Sequence, residues 1–193
     1  MAGKIILVTG GARSGKSTFA ERYAAQGNRQ VAYIATAQIY DEEMKERVAV
    51  HQRRRPAGWT TFEAPYRAEL AMAQAVRQAD AVLFDCLTLY TSNLLLAPAA
   101  PANREERCQS VLGAIDTLLA SAKQEHADVI FVSNEVGFGI VPDNALAREY
   151  RDVTGLVNQK IAGQADEAYL VVSGLAVELK KIAVGLGEVG FNG

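Results

Sequence analysis

The fold of this protein is decided by one stretch near its N-terminus, Ile5-Ile6-Leu7-Val8-Thr9-Gly10-Gly11-Ala12-Arg13-Ser14-Gly15-Lys16-Ser17. Its first part is an apolar, β-branched run of the kind that forms a strand buried on both faces. Its second part, from Gly10 to Ser17, matches the pattern G-x-x-x-x-G-K-[ST]. Because this pattern follows a strand and opens a helix, it predicts a phosphate-binding P-loop.

The residue types of the loop suit nucleoside triphosphates and magnesium. Glycines let the backbone curl so that its N–H groups and the helix N-terminus face the phosphates. We expect Lys16 to act as a catalytic cation on the β- and γ-phosphates, and the Ser17 hydroxyl to bind the Mg²⁺ that bridges them. The alternative is a glycine turn with an incidental Lys-Ser pair, and a chance match in a chain this long is on the order of one in a hundred.

The rest of the chain alternates apolar runs with amphipathic stretches, which is typical of a parallel sheet covered by helices. Strands are predicted at 5–9, 31–36, 81–86, 129–133 and 168–172, with a weaker one at 60–63. Helices are predicted at 16–26, 41–54, 66–78, 104–125 and 144–162. The predicted class is α/β, a P-loop NTPase with one domain over 1–184 and an irregular, glycine-rich tail at 185–193.

Composition excludes several other classes of protein. The chain has 193 residues, 49% of them apolar, with 20 Lys and Arg against 22 Asp and Glu. This near-neutral balance argues against nucleic-acid binding as a main activity. Cys86 and Cys108 lack the paired spacing of zinc or redox motifs, so we interpret them as incidental thiols. No signal-peptide core or membrane-spanning run is visible, and we expect a cytoplasmic protein.

Two acidic residues follow apolar strands and are candidates for contact with nucleotide or metal. Asp85 ends Ala81-Val82-Leu83-Phe84, and Glu135 follows a run from Val129 to Asn134. P-loop proteins usually place such a carboxylate beside the magnesium ion. The sequence does not assign the roles, because an acidic residue at a strand end is often only a cap. Glu135 is also our candidate for the base that deprotonates an acceptor hydroxyl.

A predicted helix ends in a histidine followed by arginines, His51-Gln52-Arg53-Arg54-Arg55. On a helix, Met44, Val48 and His51 share one face, which alone favours a packed histidine. However, the helix follows the second strand, so His51 can meet a nucleotide held at the sheet edge. Neighbouring arginines favour the neutral, nucleophilic imidazole, whereas the helix C-terminus favours imidazolium.

Together these motifs resemble the bifunctional adenosylcobinamide kinase/adenosylcobinamide-phosphate guanylyltransferase family of cobalamin biosynthesis. The resemblance covers most of the chain and rests on the order and spacing of five segments: 8–17, 33–37, 51–59, 133–137 and 171–174. It implies a P-loop fold akin to that of RecA, with a mostly parallel sheet, and a homotrimer.

The resemblance also implies two reactions. ATP or GTP phosphorylates adenosylcobinamide, and GMP is then transferred from GTP to adenosylcobinamide phosphate through a GMP-histidine adduct, with release of pyrophosphate. His51 matches the histidine of the adduct. The positions that match the family's GTP contacts are Gly10, Gly11, Ala12, Arg13, Ser14, Gly15, Lys16, Ser17, Ala35, Thr36, Ala37, Gln52, Arg53, Arg54, Arg55, Glu63 and Asp85.

Family members often carry Glu where this chain has Asp85, which leaves the contact made by Asp85 undefined.

Two other hypotheses remain open from the sequence. A different small-molecule P-loop kinase would keep the loop and leave His51 inert. A nucleotide-dependent regulatory ATPase would instead use the loop Asn134–Asp143 to bind a protein partner and would need no small acceptor.

Overall fold

A computed structural model of the chain shows a seven-stranded sheet with helices on both faces. It describes residues 3–39 and 41–185. Outside this description are the remaining residues and, on the helix that carries His51, the side chains of Glu43, Met44, Arg47, Val50, His51 and Arg54. The predicted tail therefore lies almost entirely outside the described residues.

The strands are β1 (Ile5–Gly10), β2 (Val31–Ala35), β3 (Thr60–Glu63), β4 (Ala81–Asp85), β5 (Asp128–Val132), β6 (Glu167–Val172) and β7 (Leu175–Glu178). The helices are α1 (Lys16–Ala24), α2 (Glu42–Arg54), α3 (Ala68–Ala75), α4 (Leu87–Leu95), α5 (Arg104–Ala122) and α6 (Ala145–Gln164). The strand order is β3-β2-β4-β5-β1-β6-β7, and every neighbouring pair is parallel except β6 and β7. This confirms the predicted α/β class with a mostly parallel sheet.

The core lies on both faces of the sheet because successive side chains of a strand point to opposite sides. On β1, Ile5 and Leu7 pack in one apolar cluster with residues of α3 to α6, and Ile6 and Val8 pack in another with α1. All four are at most 3% exposed. Burial of each such side chain stabilises the fold by roughly 1.5–3 kcal/mol, so β1 holds the phosphate loop on a rigid base.

The sequence pattern missed one helix and one strand. Helix α4 buries Leu87, Thr88, Tyr90, Thr91, Asn93 and Leu95, and a helix buried nearly all round lacks a one-sided apolar stripe. Strand β7 has four residues and is mostly exposed, so it lacks the continuous apolar run of the parallel strands. The other predicted elements are confirmed, with differences only at their ends. Within the described residues, no helix is both long enough and apolar enough to span a membrane.

Candidate active site

The phosphate loop lies where the topology of the sheet reverses. Strand β1 has β5 on one side and β6 on the other, and α6 carries the chain across from β5 to β6. In open parallel sheets, ligands bind beyond the carboxyl ends of the strands at such a point. Residues 10–15 join the end of β1 to the start of α1 at this edge, as the motif predicts.

Two glycines are required by the backbone of the loop. Gly15 caps α1 in a left-handed conformation with φ of 99°, which favours glycine. A Cβ atom on Gly10 would lie 2.3 Å from the Val171 carbonyl oxygen on β6. The loop is also supported by the β6–β7 turn, because the Gly174 N–H donates to the Ser14 carbonyl at 2.8 Å.

Lys16 and Ser14 both present polar groups to the loop. The Lys16 ammonium is half-buried and donates to the Gly11 carbonyl oxygen at 3.1 Å. Burial lowers the pKa of Lys16, and the nearby Cys86 and Asp85 oppose this effect. The Ser14 side-chain oxygen is buried and makes no hydrogen bond within the structure. A phosphate group bound here would give partners to both side chains.

Asp85 is held at the end of β4 by a tyrosine of the neighbouring strand. The Tyr33 hydroxyl donates to Oδ2 of Asp85 at 2.8 Å. Tyr33 is 2% exposed, and this burial is the main reason that its pKa is raised far above the ordinary value. Tyr33 therefore remains a neutral donor, and this contact occupies one carboxylate oxygen of Asp85.

The ends of β2 and β4 are joined through Thr36. Its buried hydroxyl accepts from the Cys86 N–H and donates to the Cys86 carbonyl, both at 2.9 Å. Its own N–H donates to the Asp85 carbonyl at 3.3 Å. Asn93 of α4 donates to the Thr36 carbonyl at 2.8 Å. These contacts fix the backbone of Thr36, a predicted nucleotide contact, beside Asp85.

Helix α2 is connected to this part of the site through Arg55. The guanidinium carbon of Arg55 lies 3.5 Å from the centroid of the Tyr33 ring. Arg55 directly follows α2, which carries His51. Gln52 and Arg53 are exposed on the same helix. The backbone of His51 therefore lies about one helical turn before Arg55, whose side chain contacts Tyr33 of the sheet.

Glu135 lies against the first residue of the phosphate loop. Its N–H donates to the Gly10 carbonyl oxygen at 3.3 Å. Its Oε1 accepts from the Thr9 hydroxyl at 2.8 Å and from the Asn158 amide at 3.3 Å. The Ser133 hydroxyl donates to Oδ1 of Asn158 at 2.5 Å. Asn158 is 7% exposed, so this network is largely buried.

The remaining predicted contacts lie at the same edge of the sheet. Glu63 ends β3, is exposed, and pairs in register with Ala35 of β2. Ala37 is half-buried just beyond β2. Arg13 is exposed in the loop and adopts a φ of 56°. The predicted set therefore divides between the P-loop on β1 and the strand ends of β2, β3 and β4.

Sequence reasoning missed three residues of the site. Tyr33, Thr9 and Asn158 contact the two acidic candidates directly. Each is predicted as part of a strand or helix, and although Thr9 and Tyr33 lie in the segments 8–17 and 33–37 that carry the family resemblance, neither is predicted to contact an acidic residue. No local signal pairs Asn158 with Glu135, because the pairing depends on how α6 crosses the sheet.

Cys86 is one of the two cysteines interpreted as incidental thiols. Cys86 is buried, and this burial raises the pKa of its thiol to about 11, above the ordinary value. Its sulfur contacts the Thr88 hydroxyl at 2.9 Å. His126 is exposed. Trp59 is half-buried and packs against the apolar cluster on the α1 side of the sheet.

Comparison with known proteins gives a family for most of the chain. Residues 6–179 match the family model described as cobinamide kinase / cobinamide phosphate guanyltransferase. The bifunctional adenosylcobalamin biosynthesis protein CobU of Salmonella typhimurium is 43% identical over 181 residues, which cover 91% of this chain and 99% of that protein. CobP of Pseudomonas aeruginosa, with the same description, is 41% identical over 174 residues, which cover 90% and 96%.

A solved structure supports the fold alone. An ATPase from the type III secretion system of pathogenic bacteria superimposes with a TM-score of 0.57 at 14% identity. The match covers 97% of this chain and 61% of the ATPase chain. This agrees with a P-loop NTPase architecture.

Proposed function

Because this chain belongs to the cobinamide kinase / cobinamide phosphate guanyltransferase family, we propose that it catalyses both reactions of that family. It phosphorylates adenosylcobinamide with ATP or GTP, and it then transfers GMP from GTP to the resulting phosphate. The observation that carries this proposal is the complete phosphate loop, with its buried, unpartnered Ser14 hydroxyl, inside a family match that spans 6–179.

In the kinase step, the acceptor hydroxyl attacks the γ-phosphorus and the nucleoside diphosphate leaves. The loop N–H groups, the N-terminus of α1 and Lys16 stabilise the negative charge on the transferred phosphoryl group. The Ser17 hydroxyl would hold a bound magnesium ion, and the carboxylate of Asp85 would accept hydrogen bonds from its water shell. When bound, Mg²⁺ would supply neutralisation of the phosphate charge.

In the guanylyl transfer, the His51 imidazole attacks the α-phosphorus of GTP and pyrophosphate leaves. The phosphate of adenosylcobinamide phosphate then attacks the same phosphorus, which releases His51 and forms adenosylcobinamide-GDP. A covalent adduct divides one difficult displacement into two easier ones. This role is supported by the position of His51 on α2, whose end contacts the sheet through Arg55 and Tyr33.

Recognition of guanine and ribose is assigned to strand-end residues. Guanine presents an N1–H and an exocyclic amine, which pair with a carboxylate acceptor. Glu63 is exposed at the end of β3, and we assign it this role. Asp85 has one oxygen occupied by Tyr33, which leaves its other oxygen for ribose or for the magnesium water shell.

An apolar loop beside Glu135 provides a surface for the bulky acceptor. The segment after β5 exposes Phe138 by 81%, Ile140 by 97% and Val141 by 60%. It starts at the residue next to Glu135, whose N–H contacts Gly10 of the phosphate loop. We assign the corrinoid ring to this surface.

The adduct is tested with magnesium and GTP labelled at the α-phosphate. Wild-type protein is expected to retain an acid-labile, base-stable label after denaturation, and His51→Ala to retain none. His126→Ala is the matched control, because His126 is the other histidine of the chain and is exposed at a distant turn. The control is expected to label like the wild type.

The result also separates the alternatives. Transfer of the γ-phosphate to cobinamide without any adduct would indicate an ordinary small-molecule kinase. Slow hydrolysis without transfer to any acceptor would indicate a regulatory ATPase. An equal label in wild type and His51→Ala would remove His51 from the mechanism. A homotrimer and a cytoplasmic location stay predictions, and light scattering of the purified protein measures the first.

A further inference from the structure

The two proposed acceptors differ in whether they must lose a proton to a base. Adenosylcobinamide presents an alcohol, which is a weak nucleophile until its proton is removed. Adenosylcobinamide phosphate presents a phosphate oxygen, and a phosphate monoester already carries about −1.5 to −2 charge at pH 7. An enzyme that uses both acceptors therefore needs a general base in the first reaction only.

Glu135 is placed to be this base. It lies three residues beyond the end of β5, the strand next to β1, and its N–H donates to the carbonyl of Gly10, the first residue of the phosphate loop, at 3.3 Å. Its two side-chain contacts, from Thr9 at 2.8 Å and from Asn158 at 3.3 Å, both go to Oε1. The hydrogen bonds among the described residues therefore leave Oε2 available to a ligand.

Asp85 suits the same task less well. Its Oδ2 accepts from Tyr33, and its charge acts on the ammonium of Lys16. A carboxylate that interacts with the Lys16 ammonium is better suited to accept hydrogen bonds from the magnesium water shell than to take a proton from a neutral hydroxyl.

Thr9 and Asn158 have the geometry of positioning residues. Asn158 also donates to the Asn134 carbonyl at 3.0 Å, and its Oδ1 accepts from Ser133. These contacts fix which atom of the amide faces Glu135, since the oxygen is already occupied by a donor. Two donors on one carboxylate oxygen favour a single orientation of the side chain.

We propose that Glu135 is the general base of the kinase reaction alone, and that Thr9 and Asn158 position it. This inference rests on the proposed function. In the step, the hydroxyl proton passes to Oε2 of Glu135 as the acceptor oxygen forms its bond to the γ-phosphorus. The bond from the γ-phosphorus to the bridging oxygen breaks, and the nucleoside diphosphate leaves. Glu135 then returns its proton to water.

The test measures the two reactions separately in the full-length protein. One assay supplies adenosylcobinamide and ATP, and the other supplies adenosylcobinamide phosphate and GTP. Glu135→Gln is expected to lower kcat of the kinase reaction by roughly 10²- to 10⁴-fold, the usual contribution of a general base. Guanylyl transfer and the dissociation constant for GTP are expected to stay unchanged.

The positioning role is tested at Thr9, because Val and Ser can replace Thr with little change in side-chain size. Thr9→Val removes the donor at nearly constant shape and is expected to lower kinase kcat with little change in KM. Thr9→Ser keeps the hydroxyl and is expected to restore kcat. Thr91→Val is the matched control, because Thr91 is also fully buried and its hydroxyl has no hydrogen-bond partner.

Several results would overturn the assignment. Full kinase activity in Glu135→Gln would show that another group accepts the proton. Equal losses in both reactions, or weaker GTP binding, would make Glu135 a nucleotide or structural residue. A Thr9→Ser variant as poor as Thr9→Val would remove the positioning role. If wild-type protein performs neither reaction, the proposed function itself fails and this assignment fails with it.

Discussion

The Arg55 guanidinium carbon lies 3.5 Å from the centroid of the Tyr33 ring, and the hydroxyl of the same ring donates to Asp85 at 2.8 Å. One buried tyrosine therefore contacts both the residue that follows the helix carrying His51 and the carboxylate of Asp85, our candidate for the magnesium water shell. The two contacts of Tyr33 can be tested separately, because phenylalanine at this position keeps the ring and removes the hydroxyl.

Tyr33→Phe is expected to raise the Mg²⁺ concentration needed for half-maximal kinase activity, because Asp85 loses the donor that orients it. Loss of this hydrogen bond is also expected to cost about 1 kcal/mol of unfolding free energy. Magnesium titrations and urea denaturation measure the two effects. An unchanged magnesium dependence would place the metal away from Asp85.

Gly15→Ala is expected to abolish GTP binding and to lower the free energy of unfolding by about 1–2 kcal/mol, because Gly15 has a left-handed backbone. Its Cβ would also lie 3.3 Å from Gly174 Cα. Gly113→Ala in α5 is the matched control, since a Cβ there meets nothing within 4 Å. The control is expected to gain about 0.5–1 kcal/mol. Calorimetric binding and denaturation measure both variants.

Lys16→Met is expected to abolish catalysis and yet raise the thermal stability of the nucleotide-free protein at pH 7. Burial lowers the pKa of Lys16 below its ordinary 10.5, so the charged form disfavours the folded state at neutral pH. As the pH rises through the lowered pKa, the wild type loses that charge and becomes more stable. The advantage of Lys16→Met should therefore shrink toward pH 10.5. A variant less stable at pH 7 contradicts this.

Ile140→Ser is expected to raise KM for adenosylcobinamide and to leave KM for GTP unchanged, because Ile140 is 97% exposed on the loop after Glu135. Leu70→Ser is the control, since Leu70 is 49% exposed on α3. Steady-state kinetics with each substrate varied in turn measure the effect. If both variants behave alike, the loop does not hold the acceptor. If Ile140→Ser changes the oligomeric state instead, the apolar loop is a contact between copies of the chain.

Much of the fold was predictable from the sequence because its signals are local. The parallel strands are apolar runs that fit a sheet buried on both faces, and the phosphate loop is fixed by glycines at set spacing. Helix α4 was missed because burial on nearly all sides removes the periodicity that identifies a surface helix. Strand β7 was missed because it is short and exposed.

The sequence by itself determined the phosphate loop, the α/β class and the two acidic candidates, since each depends on residues close together in the chain. Only the tertiary structure decided which neighbours those acids have. Thr9 and Glu135 are 126 positions apart, and Tyr33 and Asp85 are 52 apart. Such pairs meet because the strand order places β5 beside β1 and β4 beside β2, and that order is set by the packing of the whole sheet and its helices.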